Sequence, residues 1–217
     1  MDTKEKTLQE ITIPAPVALD LLTGGAICAH AKDDLPSLNG IGLSAAAGVL
    51  KVVSTDKYRL ITGEIDINDK VLVLDQILVP LDAVKRIITA LKALPKSSNS
   101  RDTVNLTRAG DLLTVSVKSE MENSSTITIA LNSRGERDFP PYAHLFPADS
   151  VPVDSISFNP AYMAAFSKVP TSNRSGSILT FTLHGEKKPA TVEIPHDLII
   201  WKGLLMPMRG ASLRSTN

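Results

Sequence analysis

The chain has 217 residues and a single cysteine, Cys28, so neither a disulfide framework nor a four-thiolate metal site is available to it. It has no excess of either charge: 23 Lys and Arg balance 23 Asp and Glu. A strongly basic tail gripping nucleic acid is thereby excluded, whereas a locally basic face is not. No apolar run approaches the ~18 residues of a membrane span, and the charged start "MDTKEKTLQE" lacks the apolar centre of a signal peptide. These absences point to a soluble intracellular protein. Aromatic residues are scarce at 4%, but 43% of the chain is hydrophobic, ample for a core. The length suits one large domain, or one domain and part of a second.

Catalytic and metal-binding patterns are also missing. His30, His144, His184 and His196 are scattered, with no second His, Cys or carboxylate at a metal-ligand spacing. His196 and Asp197 are adjacent, which points their side chains apart. Cys28 and His30, if helical, stand at i,i+2 and share no face. The stretch "LNGIGLSAAAG" has no Lys-Ser/Thr to complete a phosphate loop. No cofactor is expected, and an enzyme is not the expected reading.

What is present is one pattern written three times. "ITIPAPVALDLLTGGAICAHA" alternates and then places Val17, Leu21 and Leu22 at helical spacing after Pro14. "VLVLDQILVPLDAVKRIITALKAL" predicts a helix after Pro80 with an apolar stripe of Leu81, Val84, Ile88 and Leu91. "DSISFNPAYMAAFSKV" predicts a strand ending at Phe158, Asn159 as N-cap and Pro160 at the first helical position. Strand-like segments follow each helix, with turns at Ala109-Gly110-Asp111 and at Gly185-Glu186-Lys187-Lys188. The chain thus reads as three βαβββ units at intervals of roughly 60 residues, an α+β fold built by repetition. Between the second and third units, "NSRGERDFPPYAHLFPADSVP" is proline-rich and reads as a linker.

One stretch fits no simple hairpin. "VVSTDKYRLI" sets Thr55, Asp56, Lys57, Tyr58 and Arg59 in a row, although Asp56 alone would supply most of the turn chemistry. This segment resembles the A-T-D-G-H-R-L-A segment of the bacterial DNA polymerase III β sliding clamp family. "RDFPPYAHLFP" resembles that family's R-F-P-D-Y linker, and "GLLMPMRG" its C-terminal V-V-M-P-M-R-L. The resemblance implies antiparallel sheets outside and helices lining a ring. It divides the chain into a two-unit domain over 8–131, a linker over 132–154, a single unit over 155–209 and a tail over 210–217. The family's first domain and the first unit of its third have no counterpart.

The resemblance further implies a pocket for short peptides of DNA polymerase and clamp-loader subunits, with an apolar floor and polar edges. Carried over, its residues are Thr55, Lys57, Tyr58, Arg59, Leu60, Pro80, Val84, Leu204, Met206, Pro207, Met208 and Arg209. Lys57 stands where the family has glycine and Tyr58 where it has histidine, so the rim is bulkier and the glycine's backbone freedom is lost. Taken without the resemblance, Met206 and Met208 read as core residues, and Asp56 and Arg59 as a turn residue and a solvated charge.

Duplex DNA is the other implied partner, met through its phosphates by basic helix faces. Lys85, Lys92 and Lys96 share one face of the second helix, flanked by Arg86, and Lys168 and Arg174 accompany the third. The first helix has only His30 and Lys32 near its end. A lysine stripe taken alone is an ordinary solvated face. Family rings hold twelve units, so three units per chain favour a homotetramer over a trimer or dimer, with two third units joined across a two-fold axis. The resemblance places such a protein in the cytoplasm, at the nucleoid of a bacterial or phage-infected cell. The alternative is a clamp-fold module that binds such peptides without encircling DNA.

Overall fold

The computed structural model describes residues 9–67, 73–94, 101–119, 124–131, 139–172 and 178–208. Gln9–Pro14 (β1) leads into Ala15–Gly25 (α1), followed by Gly40–Ala46 (β2), Val49–Thr55 (β3) and Arg59–Asp66 (β4). The order then repeats, as Leu74–Pro80 (β5), Leu81–Lys92 (α2), Thr103–Ala109 (β6), Leu112–Lys118 (β7) and Ser125–Ala130 (β8). The last stretch has Pro160–Phe166 (α3), Thr180–Thr182 (β9), Ala190–Ile194 (β10) and Ile200–Leu205 (β11).

Proline marks each helix start. Pro14 and Pro80 occupy the cap positions of α1 and α2 in extended backbone, and Pro160 opens α3. A fixed φ and a missing N–H cost nothing where the helix has no acceptor to offer. Asn159 caps α3, its side-chain oxygen accepting from Ala161 N at 2.9 Å.

The first two stretches are interlocked, because each sends its leading strand into the other's sheet. β1 pairs with β6 at the edge of a four-stranded sheet ordered β1-β6-β7-β8, and β5 pairs with β2 in the second sheet. Helices α1 and α2 pack against each other and against the sheets. The main core lies between, built from residues such as Leu21, Ile41, Val52, Val84, Ile87 and Val115. Ile87, rather than the expected Ile88, is the fully buried member of the α2 stripe, since Ile88 sits at its margin.

The third stretch extends the second sheet. Strand β11 pairs antiparallel with β4, giving the order β5-β2-β3-β4-β11-β10-β9 over seven strands. Trp201 is the knob of this junction. It is buried, and its ring lies so close to Gly63 on β4 that a Cβ there would collide with it. At the opposite end His196 reaches α1, its Nε2 3.5 Å from Asp20 Oδ2. Its Nδ1 accepts from the N–H groups of Leu198 and Ile199, so Nε2 carries the proton directed at Asp20. The strand expected to end at Phe158 is reduced to one bridge, Ser157 with Met208. Cys28 and His30 lie beyond the end of α1, not on a helix. No helix of the described residues is long and apolar enough to cross a membrane.

Candidate functional site

The β4–β11 pairing brings two distant parts of the sequence side by side. Leu204 stands opposite Leu60, and Leu205 opposite Arg59. Beyond the end of β11 the chain stays in step with the hairpin, as Met206 N donates to Tyr58 O at 2.9 Å. Met208 N then donates to Ser157 O at 2.7 Å, tying the end of the chain to the approach of α3.

The hairpin between β3 and β4 is closed by its own polar residues. Thr55 Oγ1 donates to Arg59 O at 2.6 Å and accepts from Lys57 N at 3.2 Å. Asp56 Oδ1 accepts from the backbone N–H of Tyr58 and Arg59, while Oδ2 accepts from Arg59 Nε and Nη2. Both charged side chains are largely withdrawn from water, at 12% and 15% exposure. Asp56 is thus the turn residue, as expected, and also the partner of Arg59, which is not a solvated charge. The Arg59 guanidinium also lies 4.7 Å from the ring centre of Tyr162 on α3, and that ring stacks on Tyr58 at 5.5 Å. Lys57 has a positive φ of 78°, a left-handed turn that glycine takes freely and that strains a residue bearing a side chain.

Cys28 lies near this pair, and burial pushes its thiol up to about 12, with Arg59 pulling it down and Asp56 pushing it up. A thiol so held is no nucleophile at neutral pH.

Beneath the hairpin, on the sheet face away from the helices, a second apolar cluster forms from Val53, Leu60, Leu78, Phe139 and Leu204. Phe139, Tyr142 and Phe146 come from the proline-rich stretch before α3, which thus packs on this cluster. Gly42 on β2 makes room for the Phe139 ring, and Gln76 Nε2 donates to Phe139 O at 3.1 Å. Burial raises the pKa of Tyr142, which has Lys51 and Glu64 as charged neighbours. Around this cluster Tyr58, Met206 and Met208 stand exposed, at 52%, 39% and 48%, and the linker's Leu145 is exposed as well. Apolar side chains held in the open beside an apolar floor suit a ligand with apolar side chains of its own.

Most of the expected pocket residues come together here: Thr55, Lys57, Tyr58, Arg59, Leu60, Leu204, Met206, Pro207 and Met208. Two do not. Val84 is fully buried in the main core, and Pro80 is buried at the junction of β5 with α2, so neither offers surface to a ligand. Arg209 lies outside the described residues. The linker aromatics were missed because a proline-rich stretch without periodicity carries no burial signal, although three aromatics within eight residues were visible.

On the helices, Lys85, Arg86 and Lys92 are exposed on α2, and Lys168 is exposed just past α3. Lys96 and Arg174 lie outside the described residues. Helix α1 carries no basic residue. Of the pair beyond its end, Lys32 is exposed and His30 is bonded to Asp34. Among the described residues no group of three or more His, Cys, Asp or Glu is placed to hold a metal ion.

No protein-family model and no curated protein matches the chain. Solved structures of sliding clamps do. The DNA polymerase III β subunit of Thermotoga maritima superimposes with a TM-score of 0.73 at 14% identity, over 97% of this chain and 68% of its own. The Bacillus subtilis DNA polymerase sliding clamp gives 0.72 at 14% identity, over 97% and 66%. The C. crescentus β sliding clamp gives 0.73 at 15%, over 97% and 68%. The chain has the fold of the DNA polymerase III β sliding clamps, and spans about two thirds of their length.

Proposed function

We propose that the protein is a sliding clamp, a processivity factor that surrounds duplex DNA and tethers replication proteins by short peptides. It is a binding protein and not an enzyme, and it works in the cytoplasm where the DNA is. The observation that carries this reading is the β4–β11 pairing, which sets the Thr55–Leu60 hairpin against the Leu204–Met208 segment over one apolar cluster. The peptide site comprises Thr55, Lys57, Tyr58, Arg59, Leu60, Leu204, Met206, Pro207 and Met208, with Tyr142 and Phe146 added from the linker.

In this reading residues 8–131 form one whole clamp domain, 132–154 a linker that doubles as pocket wall, and 155–209 half of a second domain. Lys85, Arg86 and Lys92 on α2, with Lys168, meet the phosphates without reading bases. Three units per chain close a twelve-unit ring as a tetramer.

The test is the binding of a fluorescent peptide carrying Leu and Phe side chains, read by anisotropy. The exposed Met206 is replaced by Asp so that the core is untouched. Binding that weakens about tenfold or more supports the site. Equal binding by both forms removes it, whatever the fold.

A further inference from the structure

Among the described residues strand β9 is an edge, bonded only to β10. Elsewhere in the chain the strand in this position is covered, and always by one rule. The residue just before one helix pairs with the first residue of the strand that follows the other helix: Pro14 with Thr103, and Pro80 with Gly40. One step further, both members of the pair enter the core, as Ile13 with Val104 and Val79 with Ile41. Helix α3 begins at Pro160 and β9 at Thr180. The same rule would pair Asn159 with Thr180, Phe158 with Phe181 and Ser157 with Thr182. It therefore delivers two aromatic side chains to the core position. Both are half-buried in the single chain, with ring centres 6.4 Å apart.

We propose that a second copy of this chain covers β9, the two copies exchanging the segments before α3 so that Phe158 of each pairs with Phe181 of the other. The segment is ready for this. Asn159 is extended, and Ser157 faces Met208, which turns the backbone of Phe158 to the opposite edge. Helix α3 fits as well. Where α1 and α2 pack on each other, no helix of the described residues packs comparably on α3, and its exposed residues Ala161, Met163 and Ala164 carry no charge. Ile178, 60% exposed, lies beside the same edge.

This inference rests on the clamp reading and adds to it. A two-fold axis relating neighbouring units of a ring lies in the plane of the ring, because one along the ring axis would carry a unit to the far side. The exchange therefore puts the peptide sites of the two chains on opposite faces, and the ring has two equivalent sides.

The test mixes two single variants, Ser157→Cys and Thr182→Cys, under oxidation. Directly opposed residues lie within reach of a disulfide, and native Cys28 is buried. A reducible dimer in the mixture, absent from either variant alone, is expected. No dimer above the level of the single variants overturns the proposal. A companion variant, Phe181→Asp, is expected to lower the mass in solution while leaving peptide affinity unchanged; a mass equal to the wild type's counts equally against the exchange. Loss of peptide binding by the wild-type chain would instead overturn the clamp reading, and the cross-link would still stand or fall by itself.

Discussion

The stretch from β1 to β8 and the stretch from α3 to β11 follow one plan but close it differently. In the first, two sets of strands trade their leading members, two helices of 11 and 12 residues pack together, and a continuous core results. In the second, the helix has seven residues, the edge strand three, and the leading strand is a single bridge. Its order comes from the neighbour, through Trp201 and the β4–β11 ladder. The candidate site lies on that seam, so the stability of the seam and the competence of the site are one property.

The sharpest way to break the comparison is to remove the knob. Trp201→Ala is expected to cost about 3–5 kcal/mol, as for other large buried aromatics. Urea denaturation followed by circular dichroism measures it. If the third stretch stands by itself instead, it will unfold in a transition of its own, and the main transition will stay where it was.

Asp56→Ala acts on the hairpin side of the seam and leaves Arg59 half-withdrawn from water without its counter-charge. The expected cost is about 2 kcal/mol, below the 3–5 of fully buried pairs because both groups keep some exposure. The same denaturation curve reads it, and peptide binding should weaken with it.

Lys57→Gly should work the other way. Relief of the left-handed backbone, less the extra freedom of glycine in the unfolded chain, is expected to stabilise by roughly 0.5–1 kcal/mol. An unchanged melting temperature would mean that the hairpin bears no strain.

The smallest effect concerns Cys28. Its folded thiol titrates far above the ordinary value, so its contribution to stability is complete below about pH 9. That contribution is lost as pH rises toward about 12, because the unfolded chain ionises first. At pH 8 the native chain should resist thiol reagents that label a cysteine placed at the exposed Ala31 within minutes.

Much of this architecture was legible in the sequence. Helix starts at Pro14, Pro80 and Asn159-Pro160 were local signals, and local signals survive folding. The row from Thr55 to Arg59 was legible as an anomaly but not as a mechanism. Its explanation needs Tyr162, about a hundred residues on, and the closure of Asp56 on Arg59. Pro80 and Val84 were placed in the pocket by the resemblance alone. The stripe that holds Val84 announced its burial, and the structure puts it in the main core. The aromatics before α3 show the converse, since Phe139 finds its place only at Gly42, where no side chain blocks its ring, and Tyr142 meets Phe139 edge-on.

The most direct measurement is retention on DNA of two topologies. The protein is loaded on a nicked circle, separated from free protein by gel filtration, and the circle is then cut once. A sliding clamp stays on the circle and leaves when the ends appear. A protein that never remains on the circle, or that remains equally on the linear form, is a peptide-binding module or an ordinary DNA binder, and the sliding-clamp reading fails.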